Sequence, residues 1–169
     1  MSDGDRRMLT ALQAALGAEH AAVYGYGVVG GQVRAARRAE ARAAYEAHRA
    51  RRDVLARQVR ELGGTPVAAS AGYALPFAVT DQAGAVRLAA ELEERVAGVY
   101  SDLVRASSGD RRRTAAEGLR EAAVRAVRWR GESVAFPGLA ERASAGATPS
   151  APATPATPAT PATPATPAG

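Results

Sequence analysis

One long connection divides this chain into two pairs of helical segments. Residues 63–79, GGTPVAASAGYALPFAV, join the second segment to the third, whereas only about two to four residues join the members of each pair. Connections this short produce antiparallel helix hairpins. An extended connection of about 17 residues exceeds about 50 Å, while a helix of about 27 residues is only about 40 Å long. The sequence therefore predicts two antiparallel helix pairs joined by a crossover that runs the length of a bundle.

Apolar side chains recur every three or four residues in each of the four segments, which is the period of an amphipathic helix. Gly30-Gly31 and Gly63-Gly64 are expected to end the first two helices, and Pro137 forbids continuation of the fourth. Three leading arginines oppose the dipole of the fourth helix, so Thr114 is an alternative start. The predicted helices span about Asp5–Val29, Val33–Leu62, a Thr80 or Asp81 cap to Ser107, and Arg111–Val134. The expected fold class is all-α, a four-helix bundle with a long crossover between helices 2 and 3.

The composition of the chain changes after Ala147. The preceding part is rich in alanine, and its length suits one domain, predicted over residues 1–147. From Thr148 the sequence reads TPSAPATPATPATPATPATPAG, with a proline at nearly every third position and no large apolar side chain. Such a segment favours extended polyproline II and cannot build a packed core. We therefore predict a disordered Thr-Pro-Ala tail over residues 148–169.

Composition also excludes several classes of function. The absence of cysteine excludes disulfides, thiolate catalysis and cysteine-based zinc or iron–sulfur sites. The chain contains neither an apolar leader at its start nor a run of about 20 uncharged apolar residues, so a cytoplasmic protein without a membrane segment is expected. All 22 basic residues are arginine, yet the formal charge is only +5, which favours a solvated surface of arginine and glutamate.

Polar side chains on three predicted helices point toward the bundle interior. Glu19 lies about 20° from the apolar stripe of helix 1, whereas His20 lies at the rim of that stripe. His48 falls on the apolar side of helix 2, and Glu93 borders the buried face of helix 3. A buried carboxylate is costly unless it is paired, so inward-facing arginines are expected to neutralise these acids. The predicted buried polar network consists of Glu19, His48, Arg51, Glu93 and Arg130.

A metal centre is the alternative use of the same acids. Di-iron and dimanganese bundles take one Glu from each of two helices and a Glu-x-x-His motif from each of the other two. Glu19 and Glu93 fit the single-Glu positions, but Tyr45 stands where the motif before His48 needs a Glu. Predicted helix 4 has no histidine, and Ala123 and Ala126 take its inward positions. What remains is a reduced iron or manganese site of an oxidoreductase, with the candidate ligands Glu19, Glu40, His48 and Glu93.

A second alternative is nucleic-acid binding through the outer face of helix 2. Acidic side chains at Glu46, Asp53 and Glu61 interrupt this face, so this alternative ranks below the metal site. The basic residues of this face of helix 2 are Arg34, Arg38, Arg42, Arg49 and Arg60.

Tyr26 and Tyr100 fall on apolar stripes and are predicted to be packing residues.

Four stretches follow one another along the chain, namely AEHAAVYGYGVVGG, AHRARRDVL, YALPFAV and AFPGL. In these stretches and in their order, the chain resembles a ferritin-like family of unknown function found in actinobacteria. The resemblance covers about residues 5–140. It implies a small, alanine-rich four-helix bundle and no particular activity. Tyr45 and the alanines of helix 4 depart from the metal-binding pattern of ferritins.

The leading interpretation is a cytoplasmic, non-enzymatic bundle that acts by binding a protein or another ligand and forms a homodimer. No cofactor is part of this interpretation.

Overall fold

The computed structural model describes residues 1–131 of the 169-residue chain. This part contains four helices and no strand, and short turns join the helices within each pair. The all-α prediction is therefore confirmed. The helices are α1 (Asp3–Gln32), α2 (Ala35–Glu61), α3 (Gln82–Ala106) and α4 (Gly109–Arg130). The predicted tail over residues 148–169 and the end of the predicted domain lie outside the described residues.

The prediction that Gly30-Gly31 ends α1 is wrong. The helix passes through both glycines, which keep a negative φ, and it ends at Gln32. Val29 and Val33 are fully buried on either side of the pair. This packing outweighs the roughly 1 kcal/mol by which a glycine weakens a helix.

The predicted ends of α4 are also corrected. The helix begins at Gly109, ahead of the arginines, and its last residue is Arg130 rather than Val134. Gly131 adopts a left-handed conformation, with φ 84°, and its N–H bonds the Val127 carbonyl. A left-handed glycine of this kind is a common helix terminator.

Contacts between α1 and α3 define their relative direction. Glu19, near the middle of α1, accepts a bond from Tyr100, which lies late in α3. Tyr26 lies further along α1 and bonds Glu93, which lies earlier in α3. The two helices are therefore antiparallel.

Contacts between α2 and α4 show the same relation. Arg37, near the start of α2, bonds the carbonyl of Arg128, near the end of α4. Glu61, the last residue of α2, accepts a bond from Arg111 at the beginning of α4. Because the short turns also make α1–α2 and α3–α4 antiparallel, α2 and α3 must run in the same direction. Residues 62–81 are thus a crossover between parallel helices, as the connection lengths predict.

The crossover follows α1 along the bundle. The Gln13 side chain bonds the Thr65 carbonyl at 2.6 Å and accepts from the Val67 N–H at 2.8 Å. Further along α1, the Tyr24 ring lies 5.5 Å from the Tyr73 ring. The crossover is therefore packed against the bundle, and it returns the chain to the end where Asp81 caps α3 by accepting a bond from the Gly84 N–H.

The core has two apolar clusters with a polar layer between them. One cluster includes Leu12 and Leu103, and the other includes Val29 and Trp129. Glu19, His48 and Glu93 are each 0% exposed. Their elements place them at the centre of the bundle, where helix packing holds each side chain in one position.

Candidate functional site

His48 lies at the centre of the polar layer and bridges two carboxylates. Its Nδ1 lies 2.7 Å from Glu19 Oε2, and its Nε2 lies 3.1 Å from Glu93 Oε1. Since a carboxylate accepts hydrogen bonds, both ring nitrogens act as donors when both acids are ionised. The geometry therefore suits a positively charged imidazolium held between two negative groups.

Two tyrosines complete the carboxylate contacts. The Tyr100 hydroxyl donates to Glu19 Oε1 at 2.7 Å, and the Tyr26 hydroxyl donates to Glu93 Oε1 at 2.6 Å. The Tyr26 ring also stacks on His48, with 5.2 Å between ring centroids. The two tyrosines were expected to be packing residues, and they are buried, but their hydroxyl groups belong to the polar layer.

Two arginines enter the site from α2 and α4. Arg125 Nε donates to Glu93 Oε1 at 2.7 Å. Arg51 lies over the Tyr100 ring and forms an ion pair of 2.7 Å with Glu121 Oε2. The same Glu121 oxygen lies 3.6 Å from Arg125 Nη1, so this acid joins the two arginines at the edge of the site. We call Glu19, His48, Arg51, Glu93, Glu121 and Arg125, with the two tyrosine hydroxyls, the central cluster.

The surroundings shift the pKa values of His48, Glu93 and the two tyrosines. Burial by itself lowers the pKa of His48, but its hydrogen bonds to Glu19 and Glu93 and their charges raise it to about 9. Burial also opposes ionisation of Glu93, yet the His48 hydrogen bond and the His48 and Arg125 charges hold the pKa of Glu93 below its usual range. Burial and the adjacent carboxylates raise the pKa of Tyr26 and Tyr100. These shifts favour an ionised Glu93, a protonated His48 and neutral tyrosines near pH 7.

The charges of the cluster balance. Its three carboxylates are matched by one imidazolium and two guanidinium groups. This balance explains how α1 to α4 can bury so many polar atoms, because each charge has an oppositely charged neighbour. One oxygen, Glu93 Oε2, is buried without a hydrogen-bond partner in the described part of the chain.

The structure brings together most of the residues predicted for the buried network. Glu19, His48 and Glu93 meet directly, and Arg51 reaches them through Tyr100 and Glu121. The placement of Arg130 is corrected, because its guanidinium contacts Glu94, a half-buried acid outside the central cluster.

Arg130 lies five residues after Arg125 on α4, which is more than one helical turn along the axis. Arg125 lies beside Glu93 on α3 and therefore forms the ion pair with it.

Glu40 does not join the candidate metal ligands. Its carboxylate accepts a bond of 2.8 Å from Arg37 Nε, and the side chain is 34% exposed. It lies two turns before His48 on α2, which is about 12 Å along the axis. His20 is likewise outside the cluster, and its Nε2 lies 3.1 Å from the Val67 carbonyl of the crossover.

Neither Arg125 nor the role of Glu121 was predicted from the sequence. A repeated spacing in the chain carries the signal that could have identified Arg125. An equal offset of 74 residues separates corresponding members of the two helix pairs, namely Glu19 and Glu93, Tyr26 and Tyr100, and Arg51 and Arg125. The offset places Ala122 opposite His48, so the imidazole is the member that has no counterpart.

The residues present do not fit the di-metal centre of a ferritin-like carboxylate protein. Such a centre takes ligands from all four helices, and here α4 supplies the cation Arg125 next to Glu93. Both nitrogens of His48 point at carboxylate oxygens, whereas a ligating nitrogen must be unprotonated and face the ion. Within residues 1–131, no group of three or more metal-ligating side chains is arranged to hold an ion.

None of the helices within residues 1–131 has the length and the apolar character that a membrane-spanning helix requires.

Solved structures similar to this chain share its fold. A conserved hypothetical protein from Mycobacterium tuberculosis, rv2844, is 36% identical with a TM-score of 0.72, and the match covers 78% of this chain and 98% of that one. A ferritin-like, diiron-carboxylate protein from Bacillus anthracis str. Ames is 14% identical with a TM-score of 0.68, over 78% and 98% of the two chains. At that identity the second likeness shows the fold alone.

No curated protein matches the chain. Residues 11–141 match the family described as Domain of unknown function (DUF4439). The predicted resemblance to a ferritin-like family of unknown function is thereby confirmed, and the chain belongs to the DUF4439 family.

Proposed function

We propose that this chain is a ferritin-like binding protein in which an ion cluster takes the place of a metal centre, and that it is not an enzyme. The observation that carries the proposal is the position of Arg125, whose Nε lies 2.7 Å from Glu93. A guanidinium group and a metal cation are alternative counter-charges for a buried carboxylate. With the guanidinium present, Glu93 is already neutralised.

The charge balance of the central cluster supports the same conclusion. A divalent cation at Glu19 and Glu93 would add two positive charges to a cluster that is already neutral. It would also require His48 to lose a proton that two carboxylates stabilise, since the pKa of His48 is raised to about 9. Binding a metal would thus break the ion pairs that stabilise the bundle.

Metal analysis tests this proposal. The protein is expressed in medium supplied with iron or manganese, desalted, and measured by inductively coupled plasma mass spectrometry. We expect well below one ion per chain. Glu19→Gln removes a cluster charge, and Glu117→Gln changes an exposed acid of α4 as the matched control. About one tightly bound ion per chain that is lost in Glu19→Gln and kept in Glu117→Gln would instead support the metal-dependent oxidoreductase.

A groove at one end of the bundle is the proposed ligand site. It has a volume of about 700 Å³, within the usual range of ligand pockets, and it is formed by the N-cap of α2, the first half of α3 and the end of α4. Val86 and Ala90 form part of its apolar floor, and Arg34, Arg87 and Arg130 line it.

The charges of the groove favour an anionic ligand with an apolar part. Its two acids already have cationic neighbours, because Glu94 contacts Arg130 and Glu91 accepts a bond from Arg95. Arg87 lies over the Phe77 ring, and the side chain of Arg34 forms no hydrogen bond or ion pair within residues 1–131. The uncompensated charge of the groove is therefore positive.

Benzoate and its neutral analogue benzamide provide the test for this site. Amide chemical shifts of the full chain are followed by NMR while each compound is added. We expect benzoate, and not benzamide, to shift residues of the groove, and the double variant Arg34→Ala, Arg87→Ala to abolish the effect. Arg57→Ala, an exposed arginine of α2 away from the groove, is the control. Equal responses to the two compounds, or no response in the groove, would contradict an anion site.

Homodimer formation, a cytoplasmic location and nucleic-acid binding through the α2 arginines stay predictions from the sequence.

A further inference from the structure

A small cavity adjoins one side of the central cluster. It has a volume of about 60 Å³ and lies among α2, α3 and α4, with one wall from Leu12 of α1. Tyr100 and Arg51 line it on the cluster side, and Ser107 and Arg111 line it toward the α3–α4 turn. A water molecule takes up about 30 Å³ in the liquid, so the cavity has room for about two.

Two buried polar atoms at this cavity have no partner. Ser107 is 3% exposed, and its Oγ forms no hydrogen bond within the described residues. Arg111 Nε is also buried without a partner there, although the Nη2 of the same side chain reaches Glu61. A buried hydroxyl or N–H without a hydrogen-bond partner is unfavourable, and ordered water usually satisfies such groups.

We propose that this cavity is a binding site for ordered water, which satisfies Ser107 and Arg111 and extends from the α3–α4 turn to the Tyr100 side of the central cluster. A donor at Arg111 Nε and a hydroxyl at Ser107 supply two of the two to four polar contacts that a buried water needs. This proposal does not depend on the proposed ligand groove or on the proposed replacement of a metal centre by an ion cluster.

The hydrated cavity makes the two tyrosines of the cluster unequal. Tyr100 lines the cavity, whereas Tyr26 does not and packs between His48 and Trp129 at centroid distances of 5.2 Å and 6.2 Å. Both hydroxyls are otherwise matched, because each donates to a buried glutamate. Water beside Tyr100 allows its hydroxyl proton to be exchanged for a water proton without opening of the bundle, and this exchange leaves every charge unchanged. The Tyr26 hydroxyl must wait for the bundle to open.

A crystal structure at high resolution and NMR exchange measurements test the site together. We expect water density within hydrogen-bond distance of Ser107 Oγ, and a Tyr100 hydroxyl proton that exchanges with solvent at least about tenfold faster than that of Tyr26. Ser107→Val fills part of the cavity, and the extended backbone of Ser107 (φ −107°, ψ 164°) accepts valine. This variant should lose the water density and bring the Tyr100 exchange rate down to that of Tyr26.

Ser101→Val provides the control, since Ser101 is on α3 and does not line the cavity. It should leave both exchange rates as they are in the original chain. If Ser107→Val does not fold, the comparison of Tyr100 with Tyr26 in the original chain and its water density still decide the matter. An empty cavity in the density map, or equal exchange of the two hydroxyls, would overturn the proposal.

Discussion

His48 gives this bundle a specific dependence on pH. The pKa of His48 is raised from 6.5 to about 9, so the protonated ring is favoured in the folded chain. This contribution to stability is fully present below about pH 6.5 and is lost as the pH rises through about 9. Glu93 acts in the opposite sense, because its pKa is lowered and its contribution is lost only as the pH falls through that lowered value. The chain should be most stable in mildly acidic solution.

We therefore expect the free energy of unfolding to fall by about 3 kcal/mol between pH 6 and pH 10. Urea unfolding at a series of pH values measures this slope. His48→Gln should remove it, and His20→Gln should keep it, because His20 is the other histidine and lies outside the central cluster. A slope that survives in His48→Gln would assign the pH dependence to other groups.

Arg125 should be worth more to stability than any exposed arginine. Arg125→Met leaves Glu93 buried beside one fewer counter-charge, and we expect a loss of about 3–5 kcal/mol. Arg113→Met on the same helix removes only an exposed ion pair with Asp110 and should cost less than about 1 kcal/mol. Adding Glu93→Gln to Arg125→Met should restore part of the loss, and equal losses in the two arginine variants would show that the Arg125 ion pair is not stabilising.

The angular position of each residue around its helix predicted which acids and which histidine lie in the cluster better than it predicted the arginines. The direction of Glu19 or His48 on a helix depends only on the helical period, which the apolar pattern reveals. Identifying Arg125 rather than Arg130 also requires the axial level of α4 against α3, and that level depends on where the turn places the start of α4. An error of two residues at that start shifts the level by about 3 Å.

At the scale of the helices, close contacts rest on particular glycines. A Cβ on Gly118 would collide with the Tyr100 ring, because it would lie only 2.7 Å from Cδ1 and closer still to Cε1. It would also lie 3.0 Å from Arg51 Nη1. Because an aromatic ring cannot bend away, Gly118→Ala should destabilise the chain by about 1–3 kcal/mol. Gly27→Ala in α1 meets nothing within 4 Å and should stabilise it by about 0.5–1 kcal/mol. Thermal unfolding measures both changes, and stabilisation by Gly118→Ala would mean that α3 and α4 are farther apart.

Helix ends were less predictable than helix faces. Gly63-Gly64 and Asp81 act as the sequence suggests, since Gly63 takes φ 76° and Asp81 caps α3. Gly30-Gly31 carries the same local signal as Gly63-Gly64 but lies inside a helix. The difference is tertiary, because Val33 packs in the core beyond the glycine pair, and a local pattern contains no information on that packing.

At the scale of the whole molecule, connection length was the most informative property of the sequence. The connection of residues 62–81 is long enough to join parallel helices, and the α1–α3 and α2–α4 contacts agree with that topology. Function has no comparable signal, because a ferritin-like bundle accommodates either metal ions or ion pairs at its centre.

The two tyrosines have a consequence for how the chain folds. Tyr100 of the second helix pair bonds Glu19 of the first, and Tyr26 of the first pair bonds Glu93 of the second. Neither helix hairpin can satisfy its own glutamate with its own tyrosine. A half-folded intermediate would lose both hydrogen bonds and also expose the apolar side chains that the two hairpins bury together, so it should scarcely be populated at equilibrium. This reciprocal exchange couples the hairpins into one cooperative unit, even though each is a continuous half of the chain.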